Sequence, residues 1–194
     1  MNIWEIKENV FKKLSWVFDF SKIVIVLVVV ILVIHFFIAT IFVVSGESME
    51  PNLHNGEFLL VNRLNKQFSR GDIIGFYYPG FPSNKFVKRV IGLPGEKVRI
   101  KNNKIIIYNR QNPKGIILEE SFYLPPGIVI EPDKMWQVGD EEYFVIGDNR
   151  TNSIDSRFFG PLPRKYIVGR AIIILWPIRM INIIKRVQYL YLNN

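Results

Sequence analysis

Three clusters in this sequence contain residue types able to do chemistry. The first, Ser45-Gly46-Glu47-Ser48-Met49-Glu50-Pro51-Asn52-Leu53, is a serine pair, Ser45 and Ser48, wrapped around a glycine and closed by Pro51. A serine hydroxyl is a weak nucleophile until a base takes its proton, and the usual base is histidine. His54 lies six residues beyond Ser48 in the turn-like Leu53-His54-Asn55-Gly56. It reads as a surface residue, because triad partners generally come from separate elements. The other base is a lysine, and the best placed is Lys88 in Phe86-Val87-Lys88-Arg89-Val90-Ile91-Gly92-Leu93-Pro94-Gly95. Alternation along a strand puts Phe86, Lys88 and Val90 on one face. Desolvation there by about 3 pH units, roughly 4 kcal/mol against the protonated form, would make a base usable near neutrality. A strand lysine is ordinarily a solvated charge, so the pattern alone leaves this assignment open. The third cluster is Gly147-Asp148-Asn149-Arg150-Thr151-Asn152-Ser153-Ile154-Asp155-Ser156-Arg157, rich in side chains that bond their own backbone and stiffen a loop. Asp155 and Arg157 can pair, and a short hydroxyl such as Ser153 can orient an amine.

The elements around these clusters say where such chemistry would happen. Ile23–Val44 is a run of 22 residues without a charge, in which only His35 and Thr40 are markedly polar. As a helix it spans about 33 Å, enough for a hydrocarbon core of about 30 Å. It reads as a retained anchor, since a signal-peptide core is shorter and wants a small-residue cleavage site behind it. Lys7, Lys12, Lys13 and Lys22 precede the run, and the first basic residue after it is Arg63. That asymmetry predicts a cytoplasmic N-terminal segment (residues 1–22) and an extracytoplasmic remainder. Val44 to Ser48 reaches at most about 14 Å, so chemistry at Ser48 is close to the membrane surface.

Composition narrows the classes. The 194 residues include no cysteine and two histidines, which excludes disulfide scaffolds and thiolate chemistry and leaves little for an imidazole metal site. No cofactor is expected. The net charge of +8 is spread along the chain, and no dense basic tract with interleaved aromatics points to nucleic acid.

Residues 45–178 read as one mostly β domain, with strands at Phe58–Asn62, Asp72–Tyr78, Phe86–Leu93, Lys97–Lys101, Lys104–Tyr108, Tyr143–Ile146 and Ile167–Trp176. Asn102-Asn103 predicts a two-residue hairpin. Residues 110–133, with six prolines or glycines, read as loop, so that about 99–133 forms a small hairpin-and-loop insertion. In 179–194, Met180, Ile184, Val187 and Tyr191 recur at helical spacing, predicting an amphipathic helix that either packs on the domain or lies in the lipid interface.

Taken in order, the anchor, Ser48-Met49-Glu50-Pro51, Gly71-Asp72-Ile73-Ile74-Gly75-Phe76, Lys88–Gly95 and Gly147–Arg157 resemble the type I signal peptidases, membrane-anchored Ser-Lys proteases that remove signal peptides from exported preproteins. The resemblance implies Ser48 as nucleophile, Lys88 as general base, Ser153 as the hydroxyl orienting that lysine, and Asp155 with Arg157 as a structural pair. It further implies a signal-peptidase-like β fold, acyl transfer through an acyl-enzyme, and preproteins and membrane lipid as partners. Preference would be for small residues in an A-x-A pattern, in pockets walled by Phe42, Val44, Gly46, Met49 and Val87. Where some members carry a serine that donates to the oxyanion, this chain has Gly46, as Gram-positive members do, which leaves the second donor open.

Overall fold

The computed structural model describes residues 3–65, 67–189 and 191–193. The chain divides into two units, Met1–Ala39 and Thr40–Asn194.

The first unit is helix α1, Ile3–Val33, followed by a single π turn at Ile34–Ile38. No proline or glycine interrupts it. The window Trp16–Val33 has a mean hydropathy of 2.6 and is long and apolar enough to cross a membrane. The apolar run is not one helix, however. Beyond the π turn, Ala39–Val43 becomes strand β1. Thr40 and Phe42 are buried while Ile41 and Val43 are exposed. This period of two fits a β-branched and aromatic stretch on a sheet, and hydropathy averaged over a window cannot distinguish it from a helix end.

In the second unit the strands are β2 (Phe58–Asn62), β3 (Ile73–Tyr78), β4 (Phe81–Gly92), β5 (Lys97–Lys101), β6 (Lys104–Tyr108), β7 (Ile116–Leu118), β8 (Lys134–Gln137), β9 (Glu142–Ile146), β10 (Leu162–Pro163), β11 (Ile167–Trp176), β12 (Asn182–Ile183) and β13 (Tyr191–Asn193). A short helix α2, Ser156–Phe159, precedes β10. The fold is thus mostly β behind an apolar helix. Among the described residues the larger sheet runs β1-β2-β11-β3-β4-β9-β10, with β12 added to β11, and the smaller runs β13-β7-β6-β5-β8. Asn102 and Asn103, at φ 51° and 60°, make the tight β5–β6 turn.

Strand β4 organises the core. Val87 joins Phe42, Val44, Met49, Leu53 and Ile73, whereas Val90 joins Ile74, Phe76 and Val145. Ile91 belongs to a third cluster with the inner face of the smaller sheet. Because Ile74 pairs with Lys88 and Phe76 with Phe86, Lys88 shares a face with Phe86, as alternation predicts.

Two sequence expectations are corrected. Residues 110–133 are not all loop, since β7 lies there and buries Ile116 and Leu118. The tail 179–194 is not an amphipathic helix. After a 3-10 turn at Ile178–Met180 come β12, which pairs with β11, an irregular stretch over 184–189, and β13, which pairs with β7. Four apolar residues at helical spacing are a weak drive. Strand pairing at both ends, with Ile184 and Val187 packed against core clusters, outweighs it.

Candidate active site

Ser48 sits in the connection between β1 and β2, residues 44–57. Val44 N–H donates to Glu57 O and Gly56 N–H to Val44 O, closing the connection, while Met49 and Leu53 plug it into the core. Gly46 has φ 82°, a left-handed conformation that disfavours any side chain, and its N–H is taken by Asn55 Oδ1 at 2.9 Å. This is a backbone reason for glycine where a serine donor is an alternative.

Lys88 reaches the same point from mid-β4. Its Nζ lies 2.6 Å from Ser48 Oγ and donates to Val87 O at 3.0 Å. The side chain is buried, and desolvation lowers its pKa from 10.5 to about 8 against the opposing pull of Asp155 and Asp148. The Phe86 ring centroid lies 5.4 Å from the Lys88 ammonium.

The loop 147–157 forms the third side. Asp155, fully buried, caps α2 and accepts from Gly147 N at 2.9 Å, from Arg157 N and Nε, and from Arg157 Nη2 at 2.8 Å. Arg157 also donates to Arg150 O at 2.6 Å. The pair therefore braces both ends of the loop. Asn149 N–H donates to Ser48 O at 3.1 Å, and a Cβ on Gly147 would meet Ser48 O at 2.5 Å and Ser153 Oγ at 2.2 Å. The bond anticipated between Ser153 and Lys88 is not formed. Ser153 Oγ is buried beside Gly147 with no hydrogen-bond partner among the described residues. His54 bonds Glu50 at 2.7 Å and stays half-exposed, away from this convergence of Ser48 and Lys88.

Behind these residues lies a buried polar layer. Arg89, next to the lysine, holds Asp148 through Nε at 2.8 Å and Nη2 at 2.5 Å and donates to Gly71 O. Asn52 Nδ2 donates to Asp148 and to Tyr123 O, both at 2.9 Å. Arg150 forks onto Glu120 at 2.8 and 2.7 Å and donates through Nε to Gly147 O. All three sequence clusters are thereby locked to one another.

A cleft opens over Ser48, and Val44, Gly46, Met49 and Val87 are among the residues that line it. Phe42 is not on its wall but buried beneath it in the same core cluster. Sequence reasoning missed Ser45, Glu47, Lys85, Phe86, Asn152 and Ile154, which also line it. The alternation that selected Lys88 already carried Phe86, and Asn152 and Ile154 flank Ser153. Among the described residues no group of three or more His, Asp or Glu could hold a metal ion.

Residues 17–176 match the family model described as signal peptidase, peptidase S26. Signal peptidase I of Bacillus amyloliquefaciens is 36% identical over 182 residues, covering 91% of this chain and 96% of that protein. Signal peptidase I of Leptolyngbya laminosa is 36% identical over 169 residues, covering 80% and 77%. The crystal structure of a signal peptidase I from Enterococcus faecalis is 29% identical, covering 54% of this chain and 96% of that one at a TM-score of 0.44.

Proposed function

Since the chain belongs to the signal peptidase family, peptidase S26, a family that removes signal peptides, we propose that it cleaves preproteins as a membrane-bound endopeptidase with Ser48 as nucleophile and Lys88 as general base. The observation that carries the dyad is the 2.6 Å approach of Lys88 Nζ to Ser48 Oγ in a buried setting that favours the neutral amine.

Neutral Lys88 takes the Ser48 proton as Oγ attacks the scissile carbonyl, giving a tetrahedral oxyanion. The ammonium then protonates the departing amine, leaving an acyl-enzyme and a neutral lysine. That lysine deprotonates the water that releases the acyl group, and returns the proton to Ser48. Ser48 N–H is one donor to the oxyanion. Gly46 N–H, committed to Asn55, is not the second. Ser153, buried and unbonded beside Gly147, would have to turn its hydroxyl toward Lys88 to orient the amine, and Asp155 with Arg157 holds the loop that carries it. Val44, Met49 and Val87 narrow the cleft, which suits small residues at the first and third positions before the cleaved bond. The Trp16–Val33 segment anchors the enzyme with its N-terminus cytoplasmic and its β domain outside.

Cleavage of a preprotein by the detergent-solubilised full chain tests this. Ser48→Ala and Lys88→Ala are each expected to abolish turnover, and kcat/KM is expected to rise tenfold per pH unit up to about 8, the value set by burial of Lys88. Full activity in either variant refutes the dyad. Protease added to intact cells should digest the β domain, and protection there refutes the orientation.

A further inference from the structure

We propose that the C-terminal strap, through Arg186 and Tyr189, is a positioning element of the Ser48–Lys88 site, holding β3, β4 and the loop 147–157 in the arrangement that encloses the lysine. The proposal rests on the dyad assignment above. The strap lies beyond residues 17–176, the part that the family model matches.

Its first hold is on the strand pair that carries the lysine. Arg186 Nε donates to Asp72 Oδ1 at 2.7 Å and Nη2 to Oδ2 at 3.2 Å. Asp72 is buried and also meets Arg170 at 3.1 Å. Its carbonyl accepts from Val90 N–H at 2.8 Å, two residues along β4 from Lys88. The strap backbone then presses on Gly71, where a Cβ would lie 2.3 Å from Val187 O. Gly71 O in turn takes Arg89 Nη1.

Its second hold is on the loop. Tyr189 is buried and shares a 3.0 Å hydrogen bond with Tyr123 through their hydroxyls. Tyr123 Oη accepts from Arg150 Nη2 at 3.1 Å, and Arg150 Nε donates to Gly147 O at 3.0 Å. Gly147 abuts both Ser48 O and Ser153 Oγ. The Tyr123 ring also lies 4.4 Å from the Arg89 guanidinium. Three hydrogen bonds, passing through the side chains of Tyr123 and Arg150, therefore connect the strap to a residue in contact with the nucleophile. A tail that only covered apolar surface would need neither Arg186 nor the Tyr189 hydroxyl.

Charged groups near Lys88 are Asp148, Asp155 and Arg157, and those near Tyr189 are Glu120, Arg89 and Arg150. Loosening the strap admits water to Lys88 without removing any of them. Tyr189→Phe deletes the hydroxyl and keeps the buried ring; in the full chain it is expected to lower kcat about tenfold at unchanged KM and to move the rising limb of the pH profile up by about half a unit. Arg186→Gln is expected to act in the same direction through the other hold, and Arg186→Lys, which keeps a cation beside Asp72, to restore the wild-type profile. If Tyr189→Phe and Arg186→Gln both lower the melting temperature but keep the wild-type kcat and pH limb, the strap is a stability element only and the proposal falls. Ser48→Ala run alongside separates the two questions, since residual turnover there overturns the dyad instead.

Discussion

Lys88→Met should make the protein more stable while removing its activity. The ammonium is buried, and lowering its pKa from 10.5 to about 8 corresponds to about 3 kcal/mol at about 1.4 kcal/mol per pH unit. Below pH 8 both folded and unfolded chains hold the proton, and the folded state carries this full penalty. Between pH 8 and 10.5 the folded lysine has released its proton and the unfolded one has not, so wild-type stability rises with pH. Above 10.5 the penalty is gone. Methionine fills a similar volume without charge, at a cost of about 1 kcal/mol for each of the bonds lost to Val87 O and Ser48 Oγ. The variant is therefore expected to gain about 1 kcal/mol at pH 7, or about 2–4 °C in melting temperature, and to lose that advantage by pH 10.5. Thermal melts of both proteins across pH 6.5–10.5 in one detergent measure the difference. A variant that melts lower than wild type at pH 7, or a gap that does not change with pH, would refute the burial argument.

Two further substitutions probe the loop. Gly147→Ala puts a methyl group where Ser48 O and Ser153 Oγ already stand, at 2.5 and 2.2 Å. Backbone must move, and kcat should fall by about 100-fold or more with little change in peptide binding; wild-type turnover would mean that the loop yields freely. Asp155→Ala leaves Arg157 without its carboxylate partner in a buried site and should cost about 3–5 kcal/mol in urea unfolding, whereas a loss below about 1 kcal/mol would place the pair among weak surface contacts.

Short-range regularities were the most legible part of the sequence. The β5–β6 hairpin and the ends of β2 and β11 fall where alternation and turn residues put them, because those signals are local. Strand β1 was hidden inside the apolar run, where identical residue types serve a helix and then a sheet. Strand β7 and strand β13 of the tail depend on pairing with each other across more than seventy residues, which no local pattern encodes. In the site, scarce cysteine and histidine pointed to serine and lysine and alternation offered Lys88, but the resemblance to type I signal peptidases was what assigned Ser48 and Lys88, which lie 2.6 Å apart in the structure. Glu120, Tyr123 and Tyr189 were not foreseen, since a buried polar layer takes its meaning from partners distant in sequence.

Helix α1, the π turn and β1 follow one another in the chain with no intervening residue, so the apolar run ends inside the sheet and not at its border. Cutting at Val44, the end of the apolar run, would strip away the sheet's first strand, leave the β2 backbone as a bare edge, and empty the place where the Phe42 ring lies against Gly75. A soluble enzyme must begin at or before Ala39. It will then start on a short apolar stub, and its tendency to aggregate will come from that stub more than from any fault in the catalytic fold.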